Sequence, residues 1–588
     1  MCELKKTIVL FILLCNVFAN EMQRLEKEGD NQDGNDSLQN PKVCIDDGCL
    51  RGKIMEGYQS GSFNAFIGIP YAKPPTEGLR FSNPVRNEPW KKGTVYNATE
   101  EKPMCVQKND LIPNAKVDGA EDCLYLNVYQ PMVHGTSSKP LPVMVYIHGG
   151  GFFAGGASPS IIGPEYFMDT RRVILVTFQY RLGVFGFLST GDEVAPGNFG
   201  LKDQVMALQW VKQNIASFGG NPDLVTIFGQ SAGGASVHMH MISPMSEGLF
   251  ARAIMMSGNA IAPWNIPTED PLSLARRQAK AVNIAHAENL SSKQLVDALR
   301  NVNASELAES IDKLKFWSID PLTVYRPVVE PFSPINGAFL VEDPRISWMK
   351  GSYQKIPWMT GYLPNDGAVR AIAITSNEKL LNELNANISF ILPMLLEKPP
   401  SEELLKVIKH RYFKESTDDK WITTANSQRL VDLYTEAAFL YPIQSAVKQH
   451  VTSTDTKLAP VSIYKFSFKG PYSYSFLYTF THQDFGVVHC DELIYLFRSP
   501  ALFPDFPPKS KEARMSHHFV KFFIDFAING VATPLKPYRE CSNDNEVYQS
   551  MDCDVLEFKN SDEPGKPFEV RVSNARNEDL FSFWRKFY

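Results

Sequence analysis

Ser231 sits in Thr226-Ile227-Phe228-Gly229-Gln230-Ser231-Ala232-Gly233-Gly234, with a glycine two positions to either side. A serine hydroxyl becomes a useful nucleophile when a base takes its proton and fixed donors hold the oxyanion that its attack creates. Leu224 to Phe228 are apolar and β-favouring, and Ala235 to Met241 are compatible with a helix buried at its start. The spacing therefore predicts a strand, a sharp turn and a helix, with Ser231 at the turn. A serine there has a strained backbone in which side chains at 229 and 233 would collide, so both positions call for glycine. The following helix aims free amides and its positive dipole end at the hydroxyl, which favours an anion beside it.

A glycine-flanked serine is also what an ordinary glycine turn looks like. It gains weight from the apolar segment Leu141 to Ile147, which runs into His148-Gly149-Gly150-Gly151-Phe152. A strand ending in three glycines leaves backbone amides uncovered, as an oxyanion hole requires. The two motifs in this order predict an α/β-hydrolase fold, a mostly parallel central sheet flanked by helices. Val173 to Phe178 is a continuous apolar run suited to a strand buried on both faces. Tyr180-Arg181-Leu182-Gly183 follows it, and a helical pattern then runs from Gly200 through Trp210 to Ile215. Strand, glycine loop, helix, strand, helix, strand, serine turn, helix is a parallel sheet being wound. The amphipathic stretches Ser273 to Ile284, Ser291 to Val302 and Ser401 to Phe413 have polar starts and suit an outer layer.

The 588 residues carry a formal net charge of -6 without a basic run, which argues against nucleic acid or anionic membrane surfaces as partners. Lys5 and Lys6, the apolar run Ile8 to Cys15 and the small side chains at Val17 and Ala19 read as a secretory signal over 1–19. That run is too short to span a bilayer. Residues 20–42 are acidic and polar and are expected to form a disordered tail, with the folded domain over 43–588. The protein is thus expected outside the cell. Cys2 and Cys15 would leave with the signal, and seven cysteines would remain. Cys44 and Cys49 flank a short loop, Cys105 and Cys123 a polar loop, Cys541 and Cys553 an acidic loop, and Cys490 is the odd one. Spacing alone leaves these pairings open. Asn35, Asn97, Asn289, Asn303 and Asn387 begin Asn-x-Ser/Thr tripeptides compatible with a glycosylated surface.

Glu121-Asp122-Cys123-Leu124-Tyr125-Leu126-Asn127-Val128, HGGGF at 148–152, YRLG at 180–183 and FGQSAGG at 228–234 resemble the type-B carboxylesterase and cholinesterase family. The likeness runs from about Val43 to the C-terminus and includes Ser257-Gly258 and Trp264. It implies a single large α/β-hydrolase domain, a serine, acid and histidine triad, oxyanion amides at Gly150, Gly151 and Ala232, a Cys105–Cys123 disulfide, and neither metal nor organic cofactor. Of the later histidines, His489 in Gly486-Val487-Val488-His489-Cys490-Asp491-Glu492 resembles the family's histidine loop. His482 is its nearest rival, and His517 and His518 lie in a helical pattern. The family places its acid immediately before a glycine, which falls on Asp366 in Gly361-Tyr362-Leu363-Pro364-Asn365-Asp366-Gly367. Most members carry Glu there, and Glu330 is the alternative carboxylate.

Gln230 stands where most members have Glu. With Arg80-Phe81, Asp203-Gln204 and the pattern of Gly486, His489 and Glu492, it is similar to the insect juvenile hormone esterase branch. That resemblance implies a secreted enzyme acting on a small apolar ester, the methyl ester of a sesquiterpenoid hormone. Phe152, Phe153 and Trp264 are candidate walls of an apolar pocket, or equally core aromatics. The rival readings are a general or odorant-degrading esterase and a non-catalytic neuroligin-like adhesion module.

Overall fold

The apolar segments on either side of the two glycine motifs lie next to each other in one sheet. The computed structural model describes residues 40–132, 139–331, 337–417, 420–532, 554–574 and 578–588. The expected signal, most of the expected tail, Asn35, Cys541 and Cys553 lie outside them. Among the described residues the large sheet has eleven strands. They are β1 (Lys53–Glu56), β2 (Ser62–Pro70), β3 (Tyr125–Pro131), β4 (Leu141–Ile147), β5 (Ile174–Phe178) and β6 (Gly220–Gln230). The rest are β7 (Arg252–Met256), β8 (Trp358–Tyr362), β9 (Val461–Ser467), β10 (Asp554–Lys559) and β11 (Glu569–Asn574). Their order is β11-β10-β9-β8-β7-β6-β4-β5-β3-β2-β1. Every pair from β10 across to β5 is parallel, and antiparallel strands finish both ends.

Alternation along the strands builds a core on each face. Val143, Val145, Val225 and Ile227 pack on one side with Leu208 and Val211 of α1 (Phe199–Asn214) and Val237 of α2 (Ala232–Ile242). Met144, Tyr146 and Phe228 pack on the other. There the rings of Phe228 and Phe523 stand 6.3 Å apart, Phe523 belonging to a long helix over Lys511–Asn529. The serine turn therefore rides on the buried end of β6, Val225 to Gln230, between two helical layers. The outer helices form at Pro271–Ala281, Ser292–Arg300 and Glu402–Tyr412, each capped by the side chain of the residue before it, Asp270, Ser291 and Ser401.

Among the described residues the first strand starts one residue before the expected domain start. Lys42–Ile45 is a strand paired with Gly48–Arg51, and the Cys44–Cys49 disulfide closes the hairpin. Cross-strand pairing of Lys42 with Arg51 draws a residue of the expected tail into the fold. Among the described residues no helix is long and apolar enough to cross a membrane.

Candidate active site

Ser231 links β6 to α2 with φ 57° and ψ -122°, in the region that side chains disfavour. Its N–H donates to the Met256 carbonyl at 2.8 Å, which ties the turn to the end of β7. A Cβ on Gly229 would lie 2.5 Å from the Gly233 carbonyl, and one on Gly233 would lie 2.1 Å from the Ile147 oxygen. Both glycines are thus required by close backbone approach. Such a turn stores about 1–3 kcal/mol, which the buried strand and helix on either side must hold in place.

The glycine loop after β4 lies directly over this turn. A Cβ on Gly149 would sit 3.1 Å from the Cβ of Ser231. Gly150 and Gly151 have φ of 103° and 59°, and the Gly150 carbonyl is turned away to accept from Phe153 and Ala154. Among the described residues, the amides of Gly150, Gly151 and Ala232 donate to no acceptor. They are available to an oxyanion. Gln107 clamps the far end of the loop, its side chain accepting from and donating to the Gly155 backbone at 2.8 Å each way. The Cys105–Cys123 disulfide closes the segment that carries Gln107. His148 stacks on Tyr180 at 4.3 Å, and burial lowers its pKa to about 4, so it is a neutral prop.

His489 and Asp366 come from loops more than a hundred residues apart in the chain. Asn365 and Val488 form a parallel bridge, and a Cβ on Gly486 would strike the Asn365 amide at 2.3 Å. The bridge brings His489 Nδ1 to 2.7 Å from Asp366 Oδ1. The other Asp366 oxygen accepts from Ser257 Oγ and the Leu363 N–H, both at 2.9 Å. With Asp366 at 0 % exposure and His489 at 3 %, the pair is shielded from water, which strengthens its electrostatics. The Gly367 N–H donates to Thr435 Oγ1 at 2.8 Å, Thr435 being the last residue of the helix Gln428–Thr435. A π-turn over Glu436–Leu440 follows and sets the Phe439 ring 4.9 Å from the imidazole. Nε2 of His489 meets the Gln230 amide at 3.2 Å, and among the described residues it makes no hydrogen bond to Ser231.

Glu330 lies in a different setting. Its carboxylate pairs with Lys202 at 2.5 Å and accepts from Asn198 and the Phe339 N–H at 2.8 Å, a buried structural ion pair. His482 is exposed and stacks on Phe476, while His517 and His518 are exposed on the long helix over Lys511–Asn529. Asn97, Asn289, Asn303 and Asn387 are all exposed. Cys490 is a free thiol.

A cavity of about 350 Å³ opens beside Gly149, Gly150, Gln230 and Cys490. Its apolar walls include Leu111, Ile112, Leu477 and Tyr478. Phe152, Phe153 and Trp264 do not line it. Phe152 packs against Phe187 at 5.1 Å, and the Trp264 indole N–H donates to the Ala438 carbonyl, as core aromatics do. The wall residues escaped sequence reasoning because they come from loops without motifs. The cysteine pair bracketing residues 105–123 was the one signal pointing to Leu111 and Ile112.

The sheet order, the serine turn and the glycine loop define an α/β-hydrolase. The profile of the Carboxylesterase family matches residues 39–573, and the chain belongs to that family. It is 41% identical to a juvenile hormone esterase of Tribolium castaneum, with 93% of each chain covered. It is 34% identical to venom carboxylesterase-6 of Apis mellifera, covering 84% of this chain and 86% of that one. The crystal structure of juvenile hormone esterase from Manduca sexta, with OTFP covalently attached, superposes with a TM-score of 0.76 at 28% identity. That match covers 93% of this chain and 99% of the other.

Proposed function

We propose that the chain is a secreted serine carboxylesterase and that its substrate is the juvenile hormone methyl ester. The observation that carries the mechanism is the 2.7 Å contact of His489 with Asp366, its Nε2 at the Gln230 amide next to a strained Ser231, beside amides that among the described residues have no acceptor. Ser231 Oγ attacks the ester carbonyl carbon and its proton passes to His489 Nε2. The amides of Gly150, Gly151 and Ala232 hold the oxyanion, and Asp366 steadies the imidazolium. Collapse of the tetrahedral intermediate expels the alcohol, which takes the proton from His489 and leaves an acyl-serine. Water then attacks the acyl carbon with His489 again as base, releasing the acid and restoring Ser231. The substrate reading rests on the relatives named juvenile hormone esterase and on the apolar cavity beside the oxyanion loop. Secretion is supported by two disulfides and four exposed Asn-x-Ser/Thr sites.

One observation favours a second reading, a general esterase for small or dietary esters. The cavity lies on the Gln230 side of His489, where the leaving alcohol takes its proton, and it is far roomier than methanol requires. Comparing kcat/KM for juvenile hormone with a panel of short-chain alkyl esters decides between the two. Preference for the hormone is expected, and fast small-ester turnover with poor hormone hydrolysis would leave only the general esterase. Ser231→Ala is expected to fold and to lose turnover and organophosphate labelling together. A wild-type chain that takes no organophosphate would instead be a binding module.

A further inference from the structure

The Gln230 side chain lies between the candidate base and the cavity, and the proposed mechanism gives it no task. Its amide nitrogen is 3.2 Å from His489 Nε2, and its oxygen accepts from the Cys490 thiol at 3.3 Å. Cys490 Sγ in turn accepts from the Tyr478 hydroxyl at 3.7 Å. The Tyr478 hydroxyl also reaches the His489 carbonyl at 3.4 Å, while from Cys490 onward the direction of donation is set. With the proton of the neutral imidazole on Nδ1, facing Asp366, Nε2 offers only a lone pair, so Gln230 must present its NH₂. Its oxygen then faces Cys490, and burial pushes the Cys490 pKa well up, keeping an S–H there to donate. Cys490 to Gln230 to His489 to Asp366 is thus one line of donors running a single way.

We propose that Gln230 is a positioning residue for the general base: its neutral amide, oriented by Cys490, holds His489 in the Nδ1-protonated tautomer with Nε2 turned towards the serine turn. This deepens the reading of the site given above and rests on it. The hold is a neutral hydrogen bond, weak enough for Nε2 to pass to the adjacent hydroxyl of Ser231 when substrate arrives. A carboxylate at position 230 would act differently, gripping the imidazolium from the side opposite Asp366.

The other titratable groups around the ring leave that contrast clear. Asp366 faces it from the acid loop, and Cys490, Asp491 and Glu492 lie on its own segment. Burial raises the pKa of Asp491 to about 7 and that of Glu492 well up, and Asp491 is bound to Ser473 and to the backbone of Tyr474 and Val488. From neighbouring elements, Tyr478 bears on Cys490, and Tyr464 lies within the influence of Glu492 and Asp366, both phenols staying protonated by burial.

The test is the pH profile of kcat/KM for p-nitrophenyl acetate, using the full chain. Gln230→Glu is expected to move the midpoint of the acid limb up by about one pH unit or more, because a new carboxylate stabilises the imidazolium. Gln230→Ala is expected to lower kcat about tenfold with little change in KM. Cys490→Ala is expected to lower kcat less, Cys490→Ser less again, and the Gln230→Ala/Cys490→Ala double variant to match Gln230→Ala alone. An acid limb that stays at the wild-type pH in Gln230→Glu overturns the proposal. Should that variant fail to accumulate, full additivity of the two alanine effects overturns it instead. Ser231→Ala run alongside separates the two failures: turnover in that variant sinks the reading of the site, whereas an unmoved acid limb with Ser231→Ala inactive sinks only the role of Gln230.

Discussion

What a buried carboxylate does depends on what its two oxygens meet. Asp366 spends one oxygen on His489 and the other on Ser257 and the Leu363 N–H, so its charge orients an imidazole. Glu330 spends both on Lys202, Asn198 and the Phe339 N–H, and its charge keeps a buried ammonium paired. The two substitutions Asp366→Asn and Glu330→Gln should therefore fail in opposite ways. Asp366→Asn is expected to lose about 10⁴ in kcat, through the wrong imidazole tautomer, with a small change in stability. Glu330→Gln strands the Lys202 charge and is expected to lose about 3–5 kcal/mol in urea unfolding while a folded fraction keeps near-normal kcat. Burial already lowers the Lys202 pKa, consistent with an ammonium that depends on its partner. In the sequence the glycine that follows Asp366 is the feature that sets it apart from Glu330. The contact that separates them spans 123 positions, and no local pattern encodes it.

The elements were legible where their backbone admits one kind of residue. Gly229 and Gly233 are read from the sequence because no side chain fits between β6, β4 and α2, and the HGGG loop because Gly150 and Gly151 have positive φ. The further motifs shared with the juvenile hormone esterase branch proved to be scaffold. Arg181 makes a paired contact with Asp203, Arg80 binds Glu121, and Gln204 accepts from His240 at 2.9 Å. Elements meeting across long loops were not legible, and Gly367 shows why. A Cβ there would lie 2.4 Å from the Val431 carbonyl and the Thr435 amide of the helix Gln428–Thr435, so the acid loop sits flush against a helix some sixty residues later. Gly367→Ala must lift that loop, and Asp366 with it. We expect kcat to fall by about tenfold to a hundredfold, since misplacement near 1 Å costs about that much. Added to Asp366→Asn, the same change should cost almost nothing more in kcat, because the contact it displaces is already gone. A full multiplicative loss in the double variant would mean that the glycine acts through another route.

At the scale of the whole molecule, His148, His238, His240 and His450 are buried. Burial lowers His148 and His450 to about 4 and His238 and His240 to about 3, so all four stay neutral in the native protein at neutral pH. The unfolded chain binds a proton at each near pH 6.5, and below that pH every such histidine pulls the equilibrium towards unfolding. Asp491 and Glu492, with raised pKa values, pull the other way over part of the same range, because the native state takes up their protons first. The bulk acid curve is therefore a balance, and a single histidine is better isolated by a difference. His240 accepts from Ser246 Oγ at 2.7 Å and donates to Gln204 at 2.9 Å, both partners buried. In His240→Gln the titrating group is gone while a polar side chain remains. Above the unfolded pKa the wild type holds its full advantage over this variant, and as pH falls towards 5 its unfolded state gains a proton that the native imidazole refuses. The stability gap in urea unfolding is expected to narrow by about 2 kcal/mol between about pH 7.5 and about pH 5. A gap that stays constant would mean that His240 takes up its proton in the native protein over the same pH range as in the unfolded chain, its charge not excluded by burial.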